Sequence, residues 1–165
     1  PFVMSSFRAK VLTVSDGVTH GTREDLSGPA LAAALVSAGA EVIESRVCPD
    51  GVSSVEMALR DMSDGFAGVI VTTGGTGFAP RDETPEGTRR VIEREAPGLA
   101  EAMRAVSPLG RLSRGLAGIV GRCIIDLHAE EDDALLEQLG VGVVTLESLC
   151  GALLKLGQDV ARLGC

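Results

Sequence analysis

The sequence contains no tryptophan and no tyrosine, and only four phenylalanines. Its core must therefore be aliphatic, and it lacks the aromatic side chains on which single-stranded nucleic acids stack. Basic residues are also scarce, since 15 Lys and Arg face 23 Asp and Glu, for a formal net charge of −8. This charge argues against a surface for duplex nucleic acid or an anionic membrane, because both need a basic footprint. Small anions are not excluded, because backbone N–H groups at helix starts bind phosphate without Lys or Arg.

Cysteine and histidine are few and scattered. The cysteines are Cys48, Cys123, Cys150 and Cys165, with no C-x-x-C pair, and the two histidines are His20 and His128. A metal–thiolate site is therefore not expected, and scattered thiols fit a reducing cytosol. No apolar run reaches the ~18 residues that a membrane span needs, and the first residues are too polar for a signal peptide. We expect a cytoplasmic protein with no membrane partner.

Short β-branched segments alternate with helical ones along the 165 residues, a length that suits a single domain, residues 1–165. The predicted strands are Lys10–Val14, Glu41–Cys48, Gly68–Thr73 and Arg122–Leu127. The run Gly68–Thr73 is apolar without alternation, as expected for a central parallel strand covered on both faces. Strands separated by helices imply right-handed crossovers. The predicted fold class is α/β, a three-layer α/β/α sandwich with a mostly parallel central sheet.

Six helices are predicted between and after these strands. The first has Ser27 as its N-cap and ends at Gly39, and the second runs from Ser53 or Ser54 to about Met62. The third runs from Pro85 to about Glu95, with Thr84 as its N-cap. The last three are Pro97–Val106, Glu130–Leu139 and Leu146–Leu163. We expect a turn at Ser15–Gly17 and a loop over Val18–Leu26.

Aspartates follow three of the predicted strands, within the segments Ser15–Gly17, Pro49–Gly51 and Thr73–Asp82. Ligands of open α/β sheets bind beyond the carboxyl ends of the strands. Taken singly, Asp16 and Asp50 lie in ordinary turn sequences. Two carboxylates that converge from separate strand ends are, however, a usual way to hold hydrated Mg²⁺. The sequence therefore predicts a ligand site at this edge of the sheet.

The segment Thr72–Gly77 (TTGGTG) places three glycines within four residues, directly after a predicted strand. Without Cβ atoms, backbone N–H groups can converge on an anion, and the threonine hydroxyls add donors. The alternative is a tight strand-to-helix turn that merely needs positive φ. The segment matches neither the P-loop nor G-x-G-x-x-G. We predict that it binds a phosphate-bearing ligand.

Three further features are ambiguous from the residues alone. Asp82 lies two residues before Thr84, where a carboxylate could hold Mg²⁺ against phosphates, or could complement the helix dipole together with Glu83 and Glu86. Gly28 would allow a ligand to approach the first turn of its helix, or could simply belong to a capped helix start. Ser113-Arg114 offers a hydroxyl and a cation for phosphate, or a solvated charge.

Three segments together are recognisable: TVSDGVTHGTREDLSGPAL, TTGGTGFAPRDETPE and LSRGLAGIVGR. In this order and spacing they resemble the MogA/MoaB family of molybdenum-cofactor biosynthesis, whose fold also occurs in the G domain of gephyrin. The resemblance runs from about Arg8 to Arg122. The combination of GGTG with RD-x-TPE is far more specific than any single glycine motif.

The resemblance implies molybdopterin adenylyl transfer, with Mg²⁺ as cofactor and ATP and molybdopterin as substrates. It makes Asp50 and Asp82 the catalytic, Mg²⁺-associated aspartates. The residues that it places in the nucleotide and pterin-phosphate pocket are Thr73, Gly74, Gly75, Thr76 and Gly77, with Asp16, Gly28, Thr84, Glu86, Ser113 and Arg114 as supporting binders. It also implies a homotrimer or a larger homo-oligomer, and a product that is loaded with molybdate or tungstate.

One segment departs from the family. Family members follow the last strand with a turn like NLPG-S/N-P, whereas residues 126–133 here read DLHAEEDD. Four consecutive acids beside a triphosphate would be unfavourable by about 1 kcal/mol per close pair of charges. Either the run faces solvent at the start of a helix, or the chemistry is weakened. The alternatives to an active adenylyltransferase are thus a non-catalytic paralogue that binds molybdopterin or nucleotide, and an interaction module on the same fold.

Overall fold

The computed structural model describes residues 7–76, 78–97 and 121–122. The elements in chain order are β1 (Phe7–Val14), α1 (Asp16–Thr19), α2 (Ser27–Ser37), β2 (Ala40–Cys48), α3 (Val52–Ser63), β3 (Val69–Thr73), α4 (Thr84–Arg89), β4 (Arg94–Glu95) and β5 (Gly121–Arg122). None of the helices within the described residues combines the length and the apolar character of a membrane span.

The first three strands form a parallel sheet in the order β2-β1-β3. Ala9 pairs with Val42 and Lys10 with Glu44, so that Ile43 is an extra residue that bulges out of β2. The middle strand of the three is β1, and its last four residues are all buried. Among the described residues β3 pairs only with β1, and its residues are half-buried. Ile70 and Val71 of this strand nevertheless pack against the apolar clusters on opposite faces of the sheet. The strand is therefore partly covered on both faces, as predicted.

Alternate residues of β1 supply two separate cores. Ala9 and Val11 pack with Leu31 and Leu35 of α2 on one face of the sheet. On the other face, Leu12 and Val14 pack against α3, in a cluster with Val55, Ala58, Leu59 and Met62. One helix thus covers each face of a parallel sheet. This arrangement confirms the predicted α/β class with helices on both sides of the sheet.

Two predicted helix starts are wrong in their capping residues. Ser27 is the first residue of α2 rather than its N-cap, and the position before it, Leu26, makes no side-chain cap. The carboxylate of Asp25 caps the helix instead, because its Oδ1 accepts the N–H of Gly28 at 2.8 Å. At α4, Thr84 is likewise inside the helix, and no side chain caps it. The predicted loop after β1 begins with the short helix α1, capped by Ser15.

The third predicted helix is too long. α4 ends at Arg89, and the residues expected to complete its last turns form β4, which pairs antiparallel with β5. Val91 explains the ending, because it leaves the helix through a turn and packs into the core cluster under α3. Of the predicted strand Arg122–Leu127, Arg122 lies in β5 and the rest falls outside the described residues, as do the helices predicted after Pro97.

Candidate functional site

The carboxyl ends of the three parallel strands carry the predicted site residues. Val14 pairs with Cys48 and Thr13 with Thr73, so the segments that follow the strands leave the sheet at one edge. Gly74 and Gly75 both have positive φ, +92° and +61°. A Cβ on Gly74 would collide with the carbonyl oxygen of Val14. The glycines therefore allow the loop after β3 to turn directly against the end of β1.

Thr84 fixes this loop from the other side. Its hydroxyl donates to the carbonyl oxygen of Gly74 at 2.8 Å, and its N–H donates to that of Gly75 at 2.9 Å. The residue is 3% exposed. These two bonds hold the start of α4 and the glycine turn together as one unit. The threonine hydroxyl that was predicted to cap the helix is used to hold the glycine loop.

Asp16 and Asp50 form a reciprocal pair between the ends of β1 and β2. The N–H of Asp16 donates to Oδ2 of Asp50 at 2.7 Å, and the N–H of Asp50 donates to Oδ1 of Asp16 at 3.1 Å. Each carboxylate is thus oriented by the backbone of the other residue. Asp16 and Asp50, which follow separate strands, therefore lie side by side.

Arg81 reaches back across the site to the same pair. Its Nε donates to Oδ2 of Asp16 at 2.7 Å, and its Nη2 donates to Oδ1 of Asp16 at 3.1 Å. The hydrogen bond from Arg81 is the main reason why the pKa of the Asp16 carboxyl lies below its ordinary value, and the same bond raises the pKa of the guanidinium. The two charges therefore stabilise each other at neutral pH.

The carboxylate of Asp50 lies directly beside the glycine turn. A Cβ added to Gly75 would overlap Oγ1 of Thr84 and would lie 2.9 Å from Oδ1 of Asp50. That Oδ1 accepts no hydrogen bond from the described residues, whereas Oδ2 is held by the N–H of Asp16. A negatively charged oxygen is thus presented next to a backbone turn without side chains.

Asp82 has a comparable arrangement within its own loop. Oδ2 of Asp82 accepts the N–H of Ala79 at 3.0 Å, and the N–H of Asp82 donates to the carbonyl oxygen of Ala79. The described residues contain no group of three or more His, Cys, Asp or Glu side chains placed to hold a metal. Its described contacts are with Ala79, and none of them joins Asp82 to the Asp16–Asp50 pair.

Gly28 lies at a second close approach, between α2 and β1. A Cβ at this position would overlap the Asp25 carboxylate and the Thr13 hydroxyl. That hydroxyl is buried and donates to Oδ2 of Asp25 at 2.8 Å. Gly28 therefore allows α2 to start in close contact with the end of β1.

Comparison with known proteins identifies the family to which this chain belongs. A family model described as "Probable molybdopterin binding domain" matches residues 10–148. The chain belongs to this family of molybdenum-cofactor biosynthesis proteins. The match extends well past Arg122, where the recognisable motifs end, and it includes the acidic run at residues 130–133.

Individual relatives agree with this assignment to the molybdopterin-binding family. The chain is 40% identical over 129 residues to the molybdenum cofactor synthesis protein cinnamon of Drosophila melanogaster, and 36% identical over 129 residues to the molybdopterin adenylyltransferase of Escherichia coli K12. Each alignment covers 74% of this chain, but only 21% of the fly protein and 66% of the bacterial one. The chain thus spans less than two thirds of either relative.

A solved structure confirms the fold. The molybdopterin biosynthesis enzyme MoaB of Thermus thermophilus superimposes with a TM-score of 0.64 at 37% identity, covering 88% of this chain and 97% of that one. The MogA/MoaB resemblance and its fold are therefore confirmed for this chain.

The structure brings only some of the residues predicted for a molybdopterin-binding site into one cluster: Asp16, Asp50, Gly74, Gly75 and Thr84. Thr73 ends β3, Thr76 follows the glycine turn, and Glu86 lies in the first turn of α4, each of them half-buried. Gly77, Ser113 and Arg114 lie outside the described residues.

Reasoning from the sequence missed three side chains that organise the site. Arg81 binds the aspartate pair, Asp25 caps α2, and Glu83 accepts the N–H of Val52 at the start of α3 at 3.2 Å. Asp25 precedes the helix start closely enough to have been a candidate cap. Arg81 and Glu83 contact partners 65 and 31 residues away, which no local pattern indicates.

Proposed function

We propose that this chain transfers the adenylyl group of ATP to molybdopterin. A phosphate oxygen of molybdopterin attacks the α-phosphorus of ATP, a new P–O bond forms, and the bond to the β-phosphate breaks to release pyrophosphate. The observation that carries this proposal is the available Oδ1 of Asp50 beside the turn Gly74–Gly75. The likeness to a protein named molybdopterin adenylyltransferase supports the choice of substrates.

The residues of the cluster suit a transfer that depends on alignment and charge compensation. Such a reaction needs no covalent nucleophile on the protein. The glycine turn, held by Thr84, would place backbone against the phosphates without side-chain obstruction. The proposed binding set also includes Thr73, Thr76, Gly77, Glu86, Gly28, Ser113 and Arg114. As the assembly we propose a homotrimer.

The donor set at Asp50 and Asp82 fits a hydrated magnesium ion. In each residue one carboxylate oxygen accepts a backbone N–H, and the other accepts no hydrogen bond from the described residues. Magnesium is bound through one or two carboxylates together with waters and substrate phosphates, so a larger cluster of acids is not needed. Bound there, Mg²⁺ would supply neutralisation of the phosphate charge. The two aspartates are the residues that would hold it.

The direct test is pyrophosphate release from molybdopterin, ATP and Mg²⁺. We expect the Asp50→Asn variant to lose several kcal/mol of transition-state stabilisation, roughly 100-fold or more in turnover. The amide oxygen of Asn can still accept the N–H of Asp16, so the fold should be kept. Asp64→Asn is the matched control, because Asp64 is an exposed aspartate at the far end of α3.

Asp82 is tested in the same assay with Asp82→Asn. We expect a comparable loss, because the amide oxygen of Asn can still accept the N–H of Ala79, whereas an uncharged NH₂ group replaces the other carboxylate oxygen. Normal turnover in this variant would leave Asp82 as a structural acid of its loop. Tight molybdopterin binding by the wild-type chain without pyrophosphate release would instead identify a non-catalytic binding protein.

A further inference from the structure

Arg81 is the one described cation that touches the aspartate pair, and the proposed chemistry gives it no part. It lies in the segment between the glycine turn and α4, and its side chain is 59% exposed. The three hydrogen bonds that its side chain donates to described residues nevertheless all go to Asp16 and Asp50, at the ends of β1 and β2. Arg81 is therefore not simply a solvated charge, because its exposed side chain binds a residue 65 positions away in the sequence.

The contacts run in sequence from Arg81 to the oxygen that would face the substrate. The guanidinium holds both carboxylate oxygens of Asp16. Oδ1 of Asp16 in turn accepts the N–H of Asp50, and the Asp16 N–H holds Oδ2 of Asp50. Nη2 of Arg81 also donates to the carbonyl oxygen of Asp50 at 2.6 Å. The backbone of Asp50 is therefore fixed on both sides, through its N–H and its carbonyl oxygen.

We infer that Arg81 is a positioning residue that orients the Asp50 carboxylate through Asp16. This inference rests on the proposed function of Asp50. Two carboxylates in direct contact with each other's backbone repel, and a cation bound to one of them relieves that repulsion. The planar guanidinium does this with a fixed two-pronged geometry that a lysine ammonium does not provide. Arg81 thereby ties the loop after β3 to the strand ends that carry the acids.

The first experiment measures kcat and KM for ATP in Arg81→Met and Arg81→Lys. Removing a residue that orients a metal-binding acid typically lowers activity by about 10- to 100-fold. For Arg81→Met we expect a fall of this size in kcat, with little change in KM. Lysine should restore part of the rate, because it keeps the charge but not the fork. Arg89→Met is the control, since Arg89 is equally exposed and pairs with Glu95 at 3.1 Å. A rise in KM alone would overturn the inference.

A double-mutant cycle with Asp16→Asn separates positioning from direct phosphate binding. If Arg81 acts through Asp16, adding Arg81→Met to Asp16→Asn should cost little more than Asp16→Asn alone. If the two losses multiply instead, Arg81 acts independently of the Asp16 carboxylate and the inference is wrong.

Amide hydrogen exchange gives a readout that does not depend on activity. In Arg81→Met the amides of Asp16 and Asp50 should exchange faster, while those of β1 keep their protection and show that the fold is intact. Unchanged exchange at both aspartates would refute the inference. Should the wild-type chain release no pyrophosphate, the proposed function fails, and the exchange data still decide whether Arg81 holds the pair.

Discussion

At Gly75 the lack of a side chain lets the loop after β3, the start of α4 and the Asp50 carboxylate meet. Gly75→Ala would push a Cβ into Oγ1 of Thr84 and to 2.9 Å from Oδ1 of Asp50, at a φ of +61°. Gly21→Ala is a matched control, because Gly21 has a φ of +70° with nothing within 4 Å of the added atom.

We expect Gly21→Ala to cost about 1–2 kcal/mol of unfolding free energy, the cost of a left-handed backbone alone. Gly75→Ala should cost more, and it should weaken nucleotide binding, measured by calorimetry at a temperature where both variants are folded. Equal destabilisation with unchanged affinity would show that the turn needs only its backbone conformation.

Single residues show how far the sequence can locate a site. Asp50 and Gly75 were predictable, because each follows a strand and strand ends meet at one edge of a parallel sheet. The use of Thr84 was not, since a threonine before a proline suits a helix cap as well as it suits a bond to the carbonyl oxygen of Gly74. The choice between the two depends on a loop ten residues earlier in the chain.

At the scale of elements, the start of α2 tests which side chain caps a helix. Asp25→Ala removes the acceptor for the N–H of Gly28 and leaves the buried Thr13 hydroxyl without its partner. Loss of a cap costs about 1 kcal/mol, and an unsatisfied buried hydroxyl costs roughly 1–3 kcal/mol more. Ser27→Ala should change stability by less than about 0.5 kcal/mol. Urea unfolding of the two variants measures the contrast, and a reversed order would restore Ser27 as the cap.

The bulge in β2 places Glu44 opposite Lys10, with Nζ and Oε2 2.9 Å apart. The hydrogen bond from Lys10 is the main cause that lowers the pKa of Glu44 from 4.5, and Arg46 adds to it. A carboxyl whose pKa is lowered by folding stabilises the protein above its unfolded pKa, and that contribution is lost as the pH falls through the folded value.

Glu44→Gln should therefore be less stable than the wild type near pH 7, and the difference should shrink as the pH falls below about 4.5. Unfolding free energies measured across this range test the expectation. Glu41→Gln is the control on the same strand, since Glu41 is exposed. A stability difference that persists unchanged in acid would mean that the pair contributes packing rather than charge.

Helix α4 shows why element boundaries are harder to predict than element types. Sequence patterns favoured a helix to Glu95, yet the helix ends at Arg89. Burying Val91 in the core cluster under α3 stabilises the fold more than helix propensity would stabilise further turns of α4. Arg94 and Glu95 then pair with a strand 27 residues further along. Tertiary contacts of this kind are absent from any local window.

At the scale of the whole molecule, β1 joins two cores that its own alternation creates. The three-layer architecture was predictable from the order of strands and helices, because that order leaves a parallel sheet with two faces to cover. The right-handed crossovers also predict which face each helix covers. The register shift at Ile43 cannot be predicted in this way. It turns Glu44 towards Lys10, so that the strand's pattern of half-buried charges depends on a bulge that alternation alone does not indicate.

Because every residue of β1 from Val11 to Val14 is buried, damage to one face should be felt on the other. Met62 of α3 is fully buried on one side, and Leu35 of α2 is 1% exposed on the other. We expect Met62→Ala and Leu35→Ala each to lower the unfolding free energy by about 2–5 kcal/mol. Met57→Ala and Val36→Ala serve as controls on the same helices, since these side chains are 69% and 57% exposed.

The stronger expectation is that both core variants lose stability as one unit. In Met62→Ala, amide exchange by global unfolding should accelerate in α2 by the same factor as in α3, because neither helix has a sheet to cover once β1 is lost. Leu35→Ala should give the mirror result. If α2 kept its protection in Met62→Ala, the two faces would unfold independently and β1 would not couple them. Equal acceleration would mean that a mutation beneath α3 lowers the stability of the site and of the α2 face together.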